Sequence, residues 1–218
     1  MTNFLPIVEK FHSLQGEGFH TGKSAFFIRL AGCEVGCSWC DTKHSWNSKN
    51  YPLFSIDSLL REIIKARLNG AAFIVLTGGE PLHHNLDAFC KIVKNKTNNA
   101  KHKSIKIHIE TSGVSEFSGV YDWITLSPKR HKPPKEYFLN KCDELKIIIN
   151  DKKDVIFAEE ISEYLSKIKD NRYFNANKKF FVQPAWDSHE GYKLAIEFAK
   201  RNPDWTLSLQ IHKYLSIQ

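Results

Sequence analysis

The chain has 218 residues, with 31 Lys and Arg against 24 Asp and Glu, a formal net charge of +7, and 42% hydrophobic residues. This ordinary globular mix excludes a disordered tail, a collagen-like repeat and a bare coiled coil. No apolar run nears the ~20 residues that span a bilayer, and the start, MTNFLPIVEKFHSLQGEG, lacks the pattern of an export signal. We therefore expect a soluble cytoplasmic protein with no membrane partner. The positive balance admits a nucleic acid or an anionic small molecule without choosing between them.

In chain order, apolar, β-branched or aromatic runs predict strands at 25–30 (AFFIRL), 72–76, 105–109, 122–126, 145–149 (LKIII), 179–182 and 205–209. Helical spacing appears after Ser55, a candidate cap, through Ile56, Leu59, Leu60, Ile63 and Ile64 to a stop at Gly70. It recurs over 86–96, 155–168 and 192–199, while 128–142 and 170–178 read as polar connections. The alternation predicts an α/β fold with mainly parallel strands. The strands run into AGCEVGCSWCDT, TGGEP, ETSG, SPK, IND, QPAW and QIHK. Parallel barrels and open sheets carry their chemistry at the carboxyl ends of strands. A ring of such motifs predicts one site in a single domain over 1–218, a partial or modified (β/α) barrel with a short C-terminal tail.

The odd count of five cysteines, with no export signal, argues against a disulfide framework. Cys90 and Cys142 read as small buried hydrophobes. Cys33, Cys37 and Cys40 share one loop. Three thiolates there can hold three corners of a [4Fe-4S] cluster and leave one iron open to another ligand. A Cys3His zinc site with His44 is the alternative, with every ligand crowded into 33–44. In the first predicted strand, Phe26, Ile28 and Leu30 share one face, which sends Phe27 and Arg29 to the other. A lone charge in a strand commonly marks a solvated edge. Enclosed, it needs an anion, and the guanidinium fork matches a carboxylate.

Cys33-x3-Cys37-x2-Cys40 with Trp39 before the third cysteine, then Gly78-Gly79-Glu80-Pro81, resembles the radical S-adenosylmethionine superfamily. FHSLQGEG at 11–18, FIRL at 27–30, WCDT at 39–42, ETSG at 110–113, SPK at 127–129, Gln183-Pro184 and HKYL at 212–215 narrow the resemblance. They make nearly the full length similar to the 7-carboxy-7-deazaguanine synthase family. The resemblance implies a [4Fe-4S] cluster on Cys33, Cys37 and Cys40, whose open iron chelates S-adenosylmethionine and whose electron cleaves it to a 5′-deoxyadenosyl radical. It assigns Trp39, Cys40, Asp41, Gly79, Ser127, Pro128, Lys129, Gln183 and Pro184 to the S-adenosylmethionine site. Gly78 fits a close backbone approach there, and Glu80 can accept a bond from the methionine ammonium. Glu110 and Thr111 either face the ribose or cap a strand end.

The implied substrate is 6-carboxy-5,6,7,8-tetrahydropterin. Arg29 would take its carboxylate, while Gln15 and Glu17, flanked by Leu14 and Gly16, would meet the aminopyrimidinone. Thr77 would donate a further hydrogen bond, and the tail would bring in the terminal carboxylate of Gln218. Thr42 is the implied Mg²⁺ ligand, with Asp41 next. The implied partners are a flavodoxin-type electron donor and a second copy in a homodimer, with no direct nucleic-acid contact. Two rival readings stand beside this one. A radical activase acting on a protein would need an open groove. A zinc-bearing RNA-binding module would need aromatics among its lysines, whereas here they lie in apolar strands.

Overall fold

The computed structural model describes residues 3–98, 104–168 and 175–218, so part of the predicted 170–178 connection, 170–174, lies outside the described residues. Nine strands form one sheet: β1 (Phe4–Leu14), β2 (Ser24–Leu30), β3 (Leu53–Ser55), β4 (Phe73–Gly78), β5 (Lys106–Thr111), β6 (Trp123–Leu126), β7 (Glu144–Ile149), β8 (Lys179–Pro184) and β9 (Trp205–Leu207). Their order is β3-β1-β2-β4-β5-β6-β7-β8-β9. β1 pairs antiparallel with β2 and β3, and every pairing from β2 to β9 is parallel. The first and last strands in this order do not pair, so the barrel is the open, partial form.

Helices α1 (Ile56–Leu68), α2 (Asp87–Thr97), α3 (Glu136–Lys141), α4 (Lys152–Ile168) and α5 (His189–Arg201) connect the strands, and a one-turn helix, α6 (Ile211–Tyr214), follows β9. The strand and helix periodicities locate most of these elements. β1 is passed over by the apolar-run criterion because polar residues interrupt it and Pro6 cannot donate to a ladder. A register shift between Ile7 and Glu9 accommodates the irregularity. α3 lies inside the predicted polar connection 128–142.

Alternation within the strands sorts the two faces. Phe26, Ile28 and Leu30 join the main core under the helices with Ile74, Leu76, Ile107 and Ile109. Ala25, Phe27, Phe73 and Val75 form a second cluster on the inner face, with Phe11 stacked on Phe27 at 5.0 Å between ring centroids. Near the amino ends of the strands the inner face is aromatic: His108 stacks on Phe73 at 4.0 Å, and Phe19 on Trp123 at 5.2 Å. Burial, reinforced by His20, lowers the His108 pKa to about 3, so its ring serves as neutral packing. Toward the carboxyl ends the inner positions become polar: Arg29, Thr77, Glu110, Thr125, Lys146 and Gln183.

No helix among the described residues is long and apolar enough to cross a membrane. Ser55 caps α1 by accepting the Ser58 N–H at 3.2 Å, as the sequence pattern anticipates. Replacing Ser55 by Ala should lower stability by about 1 kcal/mol in chemical denaturation, with the iron-binding capacity of the protein unchanged.

Candidate active site

Residues 15–20 leave β1 and cross the inner face toward β7. Gln15 Nε2 donates to Glu110 at 3.0 Å, the Gly18 N–H to Ser208 at 3.0 Å, and the Phe19 N–H to Glu144 at 3.2 Å. The segment floors two adjoining cavities of about 200 and 220 Å³. Glu17, Asp41, Thr42, Thr77, Gly78, Glu110 and Gln210 line both and form their shared wall.

Cys33, Cys37 and Cys40 line the first lobe, with Trp39, Gly78, Gly79, Glu80, Thr111, Ser127, Lys129, Gln183 and Pro184. Pro128 does not; it lies behind Trp39 in a separate depression with Arg130 and Asp154. Gly78 has φ +136, and a side chain there would collide with the Leu30 backbone. The β2 and β4 ends therefore approach more closely than any other residue allows. At Gly79 a Cβ would meet the Gly32 carbonyl and the Cys33 side chain. The connection after β6 clamps the cysteine loop: His131 donates to the Val35 carbonyl at 3.0 Å and Lys132 to that of Glu34 at 2.8 Å. Burial raises the Cys33 and Cys37 thiols above their usual range, and the Lys129 charge opposes this at Cys37. Lys129 donates to Ser127 at 2.7 Å and stands 4.9 Å from the Trp39 ring centroid.

The thiols share this lobe without converging on one point. Among the described residues no group of three His, Cys, Asp or Glu side chains could hold a single ion. His44 is exposed. His44 does not line the thiol lobe, so the four ligands of the Cys3His alternative are not gathered there, whereas three thiols around one lobe suit a cluster with several irons. Trp46 lines the same lobe, and its Nε1 is buried without a partner among the described residues. Cys90 and Cys142 lie in the main core, and burial raises their thiols to about 11 and about 12.

Glu80 departs from its expected role. It is fully buried, and Oε1 accepts from the Leu82 N–H at 3.2 Å and Thr111 at 2.6 Å. Oε2 accepts from the Ser112 N–H at 2.8 Å and from the Ser112 hydroxyl. A carboxylate has about four lone-pair sites, so a methionine ammonium would have to displace one of these donors. The Thr111 hydroxyl is likewise committed to Glu80 and does not reach toward a ribose. Glu110 caps no strand end: its oxygens accept from Gln15 and, at 2.8 Å, from Thr77, on the wall between the lobes.

The second lobe is lined by Leu14, Gln15, Gly16, Arg29 and Gln218, with Phe11, Phe27 and His212. β2 is not an edge, and the anion facing Arg29 belongs to the protein: its Nε donates to Glu9 at 2.7 Å. Gln218 Nε2 donates to the other Glu9 oxygen at 2.9 Å, which brings the tail to this lobe. The glycines of the floor serve packing as well as access. A side chain at Gly16 would collide with the His212 ring, and one at Gly18 with the Glu144 carboxylate. The Thr42 hydroxyl lies 3.6 Å from Cys40 Sγ, and its carbonyl closes the following turn with Ser45. Asp41 pairs with Lys213 at 2.6 Å.

Sequence reasoning passed over Lys146 and Trp46, and it noted Gln210 and His212 only within the QIHK and HKYL motifs without giving them a role. Lys146 is buried and pairs with Glu17, whose other oxygen accepts from Gln210 at 2.7 Å. Burial favours protonation of Glu17, but Lys146 and Gln210 outweigh it and hold its pKa at about 2. The signal was available: Lys146 is a lone charge in an apolar strand, LKIII, as Arg29 is in AFFIRL.

The model of the Radical SAM superfamily matches residues 27–124. The chain is 50% identical over its full length to the 7-carboxy-7-deazaguanine synthase of Prochlorococcus marinus, covering 100% of that protein. It is 40% identical to that of Flavobacterium psychrophilum, over 98% of this chain and 92% of the relative. The crystal structure of QueE from Escherichia coli superposes with a TM-score of 0.75 at 30% identity, over 94% of this chain and 93% of that one.

The cysteine arrangement makes a direct prediction. After anaerobic reconstitution, Cys33→Ala, Cys37→Ala and Cys40→Ala should each lose most bound iron and its visible absorbance. Cys90→Ala and Cys142→Ala should keep both. Iron loss in a folded Cys90 or Cys142 variant would refute the three-thiol site.

Proposed function

Because the chain belongs to the 7-carboxy-7-deazaguanine synthase family of radical S-adenosylmethionine enzymes, carbon–nitrogen lyases of 7-deazapurine biosynthesis, we propose that it converts 6-carboxy-5,6,7,8-tetrahydropterin to 7-carboxy-7-deazaguanine with release of ammonia. The observation that carries this reading is the shared wall: a cysteine-lined lobe and a lobe holding an arginine adjoin across Thr42, Thr77, Gly78 and Glu110. Residues 1–218 then act as one catalytic unit whose tail closes the substrate side.

Cys33, Cys37 and Cys40 would hold the [4Fe-4S] cluster, beside S-adenosylmethionine in the first lobe. When bound, these groups supply one-electron cleavage and a carbon radical able to take a hydrogen atom from the pterin. The chain's own residues bind and orient. Trp39, Gly79, Ser127, Lys129, Gln183 and Pro184 line the S-adenosylmethionine side. Glu80 acts there by fixing Thr111 and Ser112. Arg29 is held by Glu9 through Nε, so its terminal N–H groups are directed to a substrate carboxylate. Gln15, Glu17, Glu110 and Thr77 offer acceptors and donors to the aminopyrimidinone edge.

Thr42 and Asp41 stand on the shared wall, where a Mg²⁺ ion would meet protein and substrate oxygens together. The family reading also brings a flavodoxin-type donor and a homodimer. The +7 charge favours an acidic donor, and the exposed Phe4 and Leu53 on the outer strands offer an apolar face to a second copy.

The test is turnover of 6-carboxytetrahydropterin by anaerobically reconstituted protein. A brown protein that forms the deazaguanine product supports the reading; a colourless one with stoichiometric zinc and no product refutes it. Two variants check the site. Arg29→Ala should weaken pterin binding by about 30-fold or more, since the substrate carboxylate loses its cation and faces Glu9, while S-adenosylmethionine binding stays normal. Thr42→Val deletes one oxygen at constant shape. It should keep its cluster and lose most of the Mg²⁺-dependent rate in a metal titration, and a parent-like response would pass the assignment to Asp41.

A further inference from the structure

Besides the Gln15–Glu110 and Phe19–Glu144 hydrogen bonds, the floor segment meets the sheet through an ion pair, Glu17 with Lys146 of β7. Lys146 is 5% exposed, and Glu17, Glu110 and Glu144 all face its ammonium. Glu17 lines both lobes, receiving Lys146 on one oxygen and Gln210 on the other. Two of its roughly four lone-pair sites are thereby used, and among the described residues no other donor reaches it. Glu80, with all four filled, makes the contrast. The remaining acceptor sites of Glu17 are therefore open to the cavity, and their direction is set by the Lys146 and Gln210 bonds.

We propose that Lys146 is a positioning residue for substrate recognition: its ion pair keeps Glu17 ionised and aimed so that the free lone pairs accept the adjacent N–H groups of a planar aminopyrimidinone. The inference rests on the pterin reading and adds a residue to it. Donors on a heterocycle edge need an acceptor without a proton, and a buried carboxyl that loses its cation takes up a proton. The charged and titratable groups around the pair are Glu110 from β5, Glu144 from β7, His212 from α6 and Lys129 after β6. Burial favours protonation of Glu17 and works against the Lys146 charge, yet each holds the other ionised.

The experiment measures anaerobic binding of 6-carboxypterin to the reconstituted protein with S-adenosylmethionine, from pH 6 to 9. It compares the parent with Lys146→Met, Glu17→Gln and the double variant. Each affinity is divided by the parent's at the same pH, which cancels ionisation of the ligand. Lys146→Met should bind roughly tenfold or more weakly at pH 6 and recover toward the parent as pH rises, because Glu17 now titrates in the neutral range. Glu17→Gln should be weak at every pH. The double variant, which removes both members of the Glu17–Lys146 pair together, should match Glu17→Gln in affinity even if Lys146→Met alone fails to fold.

A Lys146→Met ratio that stays constant with pH overturns the proposal. So does a double variant clearly weaker than Glu17→Gln, since Lys146 would then act independently of Glu17. Loss of S-adenosylmethionine binding in Lys146→Met would assign the lysine to the other lobe and also overturn it. A parent that fails to bind the pterin defeats the functional reading itself, an outcome separate from these.

Discussion

One ammonium among three carboxylates sets the interior electrostatics of this protein. Lys146 is taken out of water, and a buried charge is costly unless it is paired and hydrogen-bonded. Glu17 pairs with it directly and is stabilised as an anion, at about 2. Glu144 is more buried and, among the described residues, receives only the Phe19 N–H and, at 3.3 Å, the Trp123 indole. Burial raises it to about 7, against the pull of Lys146. The two acids therefore act oppositely on stability. The depressed Glu17 stabilises the fold above the ordinary carboxylate range, and that contribution disappears as pH falls toward about 2. The raised Glu144 makes the folded state less stable as pH climbs from that range to about 7.

The floor follows from this anchoring. To carry Glu17 to Lys146, the segment must pass beneath the C-terminal helix and over β7. The Ile211 N–H donates to the Gly16 carbonyl at 3.0 Å, while the His212 ring occupies the space where a side chain at Gly16 would stand. At Gly18 the chain takes φ +64 beside Glu144, a conformation and a clearance that only glycine meets cheaply. The LQGEG motif is therefore a packing solution as well as a binding one. Its spacing places one glycine on either side of the single anchored carboxylate.

Much of this was legible in the sequence, and the exceptions have physical causes. The parallel strands announced themselves because both faces are enclosed, giving continuous apolar runs such as AFIVL. β1 did not, since a bulged strand containing Pro6 breaks the period. The three cysteines and most of the motifs singled out at the strand ends line the first lobe, because each motif is a short run of consecutive residues where a strand ends. The second lobe draws on the floor, on inner positions of several strands and on the tail. Arg29 was found by its isolation in an apolar strand, and Lys146 bears the same mark. What local sequence could not show is that the anion facing Arg29 is Glu9, twenty residues back on an antiparallel neighbour. Nor could it show that Lys132 and His131, in a stretch read as a polar connection, hold the cysteine loop.

Three glutamates near the shared wall show how one side-chain type divides its work. Glu80 accepts four hydrogen bonds from Leu82, Thr111 and Ser112, so it holds the ends of β4 and β5 together and has little capacity left. Glu110 accepts from Gln15 and Thr77, and Glu17 from Lys146 and Gln210, two bonds each. Both of these line the cavities with acceptor sites unfilled by the described residues. The difference lies in partner number and in depth rather than in residue identity, Glu80 being fully buried and the other two half-buried. A site that recognises a heterocycle edge needs acceptors that are rigid yet incompletely satisfied, because a saturated carboxylate cannot bind and an unsupported one takes up a proton. The two supporting bonds on Glu17 meet both requirements at the boundary between the lobes.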